Sequence, residues 1–214
     1  MPSLDDLKKR IGSVKSTQKI TKAMKMVAAA KLRRAQESAE SSRPYSDTMN
    51  EVIGSISNKV VSTSSERNLL TGTGDDQVQL LILFTSERGL CGGFNSSITK
   101  MMREKIEDLQ KLNKTVKIIC IGKKGYDILK RKYNDLIIDM IDMKAIKSVS
   151  YQDAKDISQK IIRMYFDNEF DTCSIFYNKF KSVIDQIPTH QKILPIENEK
   201  NNDQIGRASC RERV

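Results

Sequence analysis

The sequence has little of what most enzymes and membrane proteins need. Its longest apolar run, Val78 to Phe84, is already broken by Gln79, far short of the ~20 residues of a membrane-spanning helix. The N-terminus, Met1-Pro2-Ser3-Leu4-Asp5, has no apolar core of a secretory signal and reads as mature. Four cysteines, Cys91, Cys120, Cys173 and Cys210, have neither metal-ligand nor disulfide-framework spacing, which fits a reducing compartment. His190 is the only histidine and lies in a loop entering the last expected strand, without a Ser or Cys partner pattern, which argues against a catalytic triad. Hydrophobic residues make up 38% and charged residues 30% of the chain, low for a single compact globule but not low enough for disorder.

The most informative absence is local. Between Lys8 and Arg34 there is no Asp or Glu, yet there are ten Lys and Arg, equal to the formal net charge of +10 of the whole chain. The basic character therefore belongs to one segment and points to an acidic partner. Within it, TKAMKMVAAAKLRR (residues 21–34) is basic and apolar in the same turns.

That segment sits in a long helical pattern. Ser3 followed by Asp6 resembles a capping box, and Asp5 and Asp6 suit the positive end of a helix dipole. The pattern runs to about Asn58, interrupted only by Gly12, Pro44 and Gly54, on the order of 80 Å of helix. Leu4, Leu7, Ile11 and Val14 begin a heptad seam that recovers at Ala28, Leu32 and Ala35 and continues through Met49, Ile53 and Ile56. Sustained heptad spacing predicts half of a coiled coil rather than a core helix. Ile20, Met24, Val27 and Lys31 form a second line on another face, which needs a second neighbour or a surrounding sleeve.

A polar linker covers 61–77, and then the texture changes. Strands are expected at 78–85, 115–121, 135–142, 172–180 and 191–196. Helices are expected at 92–112, at 123–132 and at 151–168, the last with Ala154, Ile157, Ile161, Ile162 and Tyr165 on its apolar side. Alternating strand and helix predicts an open, largely parallel, Rossmann-like α/β sheet over 78–197, with a further linker at 198–204. The last ten residues, IGRASCRERV (205–214), read like translated sequencing adapter and are set aside; on that reading the natural chain continues past about Gln204.

Ser86 to Asn95 (SERGLCGGFN) joins the first strand to a helix, where doubly wound folds hold phosphates, but it is neither a dinucleotide fingerprint nor a P-loop. It reads as a tight turn or interface loop, with a nucleotide-binding α/β enzyme as the alternative. Lys123 and Lys124 after Gly122 open another helix and read as solvated, a phosphate contact being the alternative. Asp139 and Asp142 are read as solvated acids at a strand end. The basic helix leaves three readings open: a solvated face, a nucleic-acid-binding element, or a helix threaded between acidic protein surfaces.

Four stretches carry a resemblance. LKKRIGSVKSTQKITKAMKMVAAAKLRRAQ (7–36), SRPYSDTM (42–49), SERGLCGGFN (86–95) and YNKFKSVIDQIPTHQKILPI (177–196) resemble, in order, the gamma subunit of F-type ATP synthases. The resemblance implies a rotor. N- and C-terminal helices form an antiparallel coiled coil in the bore of an alpha–beta hexamer, and the α/β domain sits beside the epsilon subunit and the membrane c-ring. It implies rotation driven by the c-ring, no cofactor, metal or catalytic site of its own, and no nucleic acid or membrane span. The chain would be peripheral, on the cytoplasmic side of a bacterial inner membrane rather than the mitochondrial matrix side. Rotor–stator contacts would involve Lys19, Lys22, Met24, Lys25 and Val27, with Arg88 and Cys91 lower down. The family's C-terminal helix has no counterpart here, so the seam is expected to lack its mate and the chain alone to be a poor rotor, prone to association.

Overall fold

A computed structural model describes residues 3–57, 68–72, 74–146, 149–182 and 185–196. The expectations for Asn58, for 61–67 and 73 within the linker, for Cys210, for 198–204 and for the ten terminal residues lie outside these. The chain divides into two compact units, Met1–Ile56 and Ser57–Val214.

The first unit is one helix, α1 (Leu4–Ser57). Its start is the capping box expected from Ser3 and Asp6: the Asp6 amide donates to Ser3 Oγ and the Ser3 amide to Asp6 Oδ2, both at 3.3 Å. The helix runs through Gly12, Pro44 and Gly54 without a break. Arg33 pairs with Glu37 at 2.8 Å, four residues on. Between Lys8 and Arg34 no such acid exists, and Lys15–Lys19, Lys19–Lys22 and Lys22–Lys25 are like-charge neighbours at three or four residues. Each such pair costs a few tenths of a kcal/mol.

The second unit is an α/β sandwich around one five-stranded sheet of order β3-β2-β1-β4-β5. Its elements are β1 (Val78–Phe84), α2 (Phe94–Lys111), β2 (Thr115–Ile121), α3 (Lys123–Tyr133), β3 (Ile137–Ile141), α4 (Tyr151–Phe166), β4 (Thr172–Phe180) and β5 (Gln186–Leu194). The first four strands in space are parallel and β5 is antiparallel to β4. Side-chain alternation along β1 divides the core. Leu81 and Leu83 pack with Ile98, Met102 and Ile106 of α2 and Leu129 of α3. Leu80 and Ile82 point the other way, onto Ile161, Met164 and Tyr165 of α4.

The differences from expectation are local. The third strand is two residues shorter at its start, because Asn134–Leu136 form a 3-10 turn first, and one shorter at its end. On α4 it is Met164, not the half-exposed Ile162, that completes the buried face. The helices α2 and α4 end sooner than their patterns suggested. Both close in the same way: Asn113 and Asn168 take φ of 56° and 61°, and the next amides, of Lys114 and Glu169, reach back to Leu109 and Met164 carbonyls at 3.0 Å. This is the Schellman closure, with Asn in the left-handed position usually held by Gly. The last strand begins five residues earlier than expected, so His190 lies inside β5 rather than in a loop, stacked on Phe176 with ring centroids 4.7 Å apart.

Because β5 runs against β4, the chain returns to the edge of the sheet where β1 begins. A β-carbon at Gly72, just before β1, would lie 3.0 Å from Pro195, just after β5.

Candidate partner-binding surfaces

Two surfaces carry the residues singled out in the sequence. The first is α1. Leu4, Leu7, Ile11, Val14, Ala28, Leu32, Ala35, Met49 and Ile56 of the seam are exposed, and Ile53 is half-buried. Met24 and Val27 of the second line are 66% and 56% exposed. At ~100° per residue, Met24 and Val27 project about 60° apart, whereas Lys25, Lys22 and Lys19 project about 100°, 160° and 220° round from Met24. These three lysines share the face opposite Met24 and Val27, and with Arg10, Lys31 and Arg34, about 40°, 340° and 280° round, the cations of 8–34 fall on every side of the helix. Met26, also exposed, falls nearly opposite Met24 and outside the seam. The element is apolar and cationic around its whole circumference.

The second surface is the turn between β1 and α2. Gly122 brings the start of α3 against the end of β1: with φ +101°, it leaves no room for a side chain, since a β-carbon there would lie 2.2 Å from the Thr85 carbonyl oxygen. The Thr85 hydroxyl accepts from the Gly125 amide at 2.8 Å. Glu87 then spans three loops. Its carboxylate accepts from the Lys123 amide, the first of α3, at 3.3 Å and from the Met143 amide after β3 at 2.9 Å. Asn95 fastens the other end, accepting from the Ser86 amide at 3.0 Å and lying with its side-chain nitrogen 3.1 Å from Cys91 Sγ. Ser86 Oγ donates to the Arg88 carbonyl at 2.6 Å. Between these anchors Arg88, Gly89, Leu90 and Cys91 are exposed.

This geometry speaks to the phosphate alternative. In an open parallel sheet, ligands bind where the strand order reverses and at the helix N-termini beside it. Here the order reverses between β1 and β4, and Asn178 of β4 donates across that gap to the Phe94 carbonyl at the start of α2, at 3.0 Å. The α3 N-terminus is occupied by Glu87. At each of these points a group of the chain itself makes the hydrogen bond. None of Glu87, Leu90 or Asn178 has a role in the sequence reading, although Glu87 and Leu90 lie in SERGLCGGFN and Asn178 in YNKFKSVIDQIPTHQKILPI.

The remaining candidates are structural. Cys120 and Cys173 are buried in the two halves of the core, and burial pushes the Cys120 thiol up to about 12 and that of Cys173 up as well. Asp139 pairs with Lys160 of α4 rather than standing solvated, and Asp142 accepts from the Lys144 amide at 2.7 Å. Among the described residues no cluster of His, Cys, Asp and Glu could hold a metal ion, and no helix is long and apolar enough to cross a membrane.

The sequence model of the ATP synthase family matches residues 3–212, and so runs through most of the ten residues set aside above. An ATP synthase gamma chain from Sinorhizobium medicae is 55% identical over 195 residues, covering 91% of this chain and 67% of that one. The chain belongs to the ATP synthase gamma-chain family. A gamma chain from Pelagibacter ubique is likewise 55% identical over 197 residues, covering 92% of this chain and 68% of its own length. The present chain thus spans about two thirds of the curated gamma chains it matches. Among solved structures, the central stalk and c-ring assembly of the Tetrahymena thermophila mitochondrial ATP synthase contains a chain with 30% identity and a TM-score of 0.63 to this one, over 82% of this chain and 72% of that one. The long helix and the mostly parallel sheet are those of an ATP synthase gamma chain, a subunit of an enzyme complex.

Proposed function

We propose that this gamma chain is the rotor of an F-type ATP synthase, carrying rotation from a proton-driven c-ring to the catalytic alpha–beta hexamer, with the epsilon subunit beside its α/β unit. The chain has no catalytic site of its own in this reading and lies peripherally, on the cytoplasmic side of a bacterial inner membrane.

The observation that carries the reading is α1 itself. Its cations encircle the helix, and its apolar side chains are exposed on more than one side. A nucleic-acid element would set its cations along one face to follow a phosphate backbone. A shaft that meets the same acidic collar at every angle needs them all round. Exposed Lys–carboxylate pairs contribute only ~0–1 kcal/mol each, so contacts can be exchanged during rotation without a deep well that would stall it. Lys19, Lys22, Met24, Lys25 and Val27 are the side chains assigned to that sliding contact, and the seam from Leu4 to Ile56 is assigned to a coiled-coil mate.

Reconstitution tests the reading. The full chain is added to purified alpha and beta subunits, and ATP hydrolysis is measured. Activity that rises with added chain, saturating near one per hexamer, is the expected result. Hydrolysis indifferent to the chain would sink the proposal.

A further inference from the structure

The seam of α1 is matched in size to its own reverse. Two copies laid antiparallel, in the register that overlaps Leu4–Ser57 along almost its whole length, bring Leu4 against Ile56, Leu7 against Ile53 and Ile11 against Met49. Large apolar side chains meet large ones at both ends. Between them the pairs are small or polar: Val14 with Ser46, Gln18 with Ser42, Thr21 with Ala39, Lys25 with Ala35 and Ala28 with Leu32. Ala35 leaves room for the Lys25 stem to lie along the seam with its ammonium in water. Gly12, Pro44 and Gly54, the residues least suited to a helix, all fall at outward positions of the same heptad. Leu4, Leu7, Ile11, Met49 and Ile56 are exposed, and a helix of this length gains most of its stability from packing such side chains away.

Charge selects the antiparallel arrangement. A parallel pair would set the ten cations of 8–34 beside ten more, with Lys25 facing Lys25 in the seam. In the antiparallel pair, residues 8–25 lie across from 35–52. The first stretch holds seven cations and no acid; the second holds Glu37, Glu40, Asp47 and Glu51 against the single cation Arg43. Lys15 and Lys22 fall on the same flank as Asp47 and Glu40 of the second copy, within a turn of them. These separations are of the order of a Debye length at physiological salt, so the attraction survives there.

We infer that two copies of this chain pair through α1 as an antiparallel coiled coil, about a two-fold axis near residue 30. The two-fold repeats each end pair, so six large apolar contacts hold the ends and the middle serves as a polar spacer. The interface stands on α1 alone and does not need the rotor reading. It bears on that reading in one way: the seam assigned to a mate within the rotor is the seam used here, so a chain held by a second copy is withheld from the hexamer until the pair separates.

Sedimentation equilibrium of the full chain, at tens of micromolar, is expected to give twice the mass of one chain. Leu7→Ala strikes two pairs at once through the two-fold and is expected to weaken the dimer by about a hundredfold or more, from the area each Leu buries. Met26→Ala, at an outward position, is expected to stay within a few-fold of the unaltered chain. Protection of Cys120 and Cys173 from a maleimide checks that the α/β unit is folded in each variant. Orientation is read by oxidation in a background carrying Cys91→Ser and Cys210→Ser. Chains with Leu7→Cys and chains with Ile53→Cys are expected to cross-link to each other when mixed, and neither to itself. A mass of one chain, a mass above two, a Leu7→Ala dimer as tight as the unaltered one, or self-cross-linking of Leu7→Cys would each overturn the inference, and none of them touches the rotor reading.

Discussion

Replacing Gly122 by Ala is expected to open the α/β unit, and the size of the effect follows from three neighbours. The new methyl would stand 2.2 Å from the Thr85 carbonyl oxygen and 2.8 Å from its carbon. Contacts under 3.0 Å are essentially never seen, so the two strand ends must separate by at least about 0.8 Å. That shift takes the Thr85 amide away from the Ile121 carbonyl, now 2.9 Å, and the Gly125 amide away from Thr85 Oγ1, now 2.8 Å. Two hydrogen bonds at ~1 kcal/mol each, plus ~1–3 kcal/mol for a backbone region open to Gly alone, give a loss of about 4 kcal/mol. Cys120 and Cys173 report it. Both are buried, with thiols held protonated, so a maleimide reaches them only when the unit opens, whereas Cys91 reacts at once. A loss of about 4 kcal/mol raises the open population, and the labelling rate of the two buried thiols, by ~10³. Adding Thr85→Ala should not rescue Gly122→Ala, because the clashing oxygen belongs to the backbone. The same addition should partly rescue Gly125→Ala, whose nearest clash is the Thr85 side chain at 2.7 Å. Labelling of Gly122→Ala within threefold of the unaltered chain would refute the reasoning.

Two further outcomes are expected. Reversing Lys22 and Lys25 to Glu should lower proton-driven ATP synthesis in a reconstituted complex more than it lowers hydrolysis, since drive through the shaft depends on its centring; unchanged coupling would contradict the bearing. The capping box of α4 should be pH-dependent: hydrogen bonds from the Ser150 hydroxyl and amide, each 2.7 Å from Asp153 Oδ2, lower the Asp153 carboxyl below the ordinary aspartate range. A group lowered in the folded state stabilises above its unfolded value and loses that contribution as pH falls through the folded one. The urea midpoint of the unaltered chain should therefore exceed that of Ser150→Ala at pH 7, and the gap should close toward pH 3; a gap equal at both would count against the cap.

What the sequence revealed and what it hid divide by distance along the chain. The strands β1, β2 and β4 are apolar or β-branched runs that no other element could absorb, and their alternation with helices fixed a parallel sheet. The capping box at Ser3 works over three residues and was visible for that reason. β5 was half hidden because QIPTHQ is polar, as an edge strand with one row of partners can be. Helix ends were overrun because Asn113 and Asn168, unlike Gly, do not announce a left-handed closure. The turn around Leu90 was legible as a tight turn or interface loop, without its clamps. Its clamps join Glu87 to Lys123 and Met143, and Asn178 to Phe94, pairs set by the folded sheet rather than by neighbouring residues. On α1, periodicity marks a seam and a second apolar line, whereas the spread of the ten cations round the helix follows only from counting every one of them.

The meeting of Gly72 and Pro195 has a consequence for how such a unit could arise or be removed. Its entry and exit lie at one point, so the whole sheet with its three helices is topologically a side loop, large but closed at its neck. Domains of that kind can be inserted into a host chain, or excised and bridged by a short linker, without prying apart what flanks them. Load applied through the two connections would converge on that neck rather than pull the sheet from opposite ends.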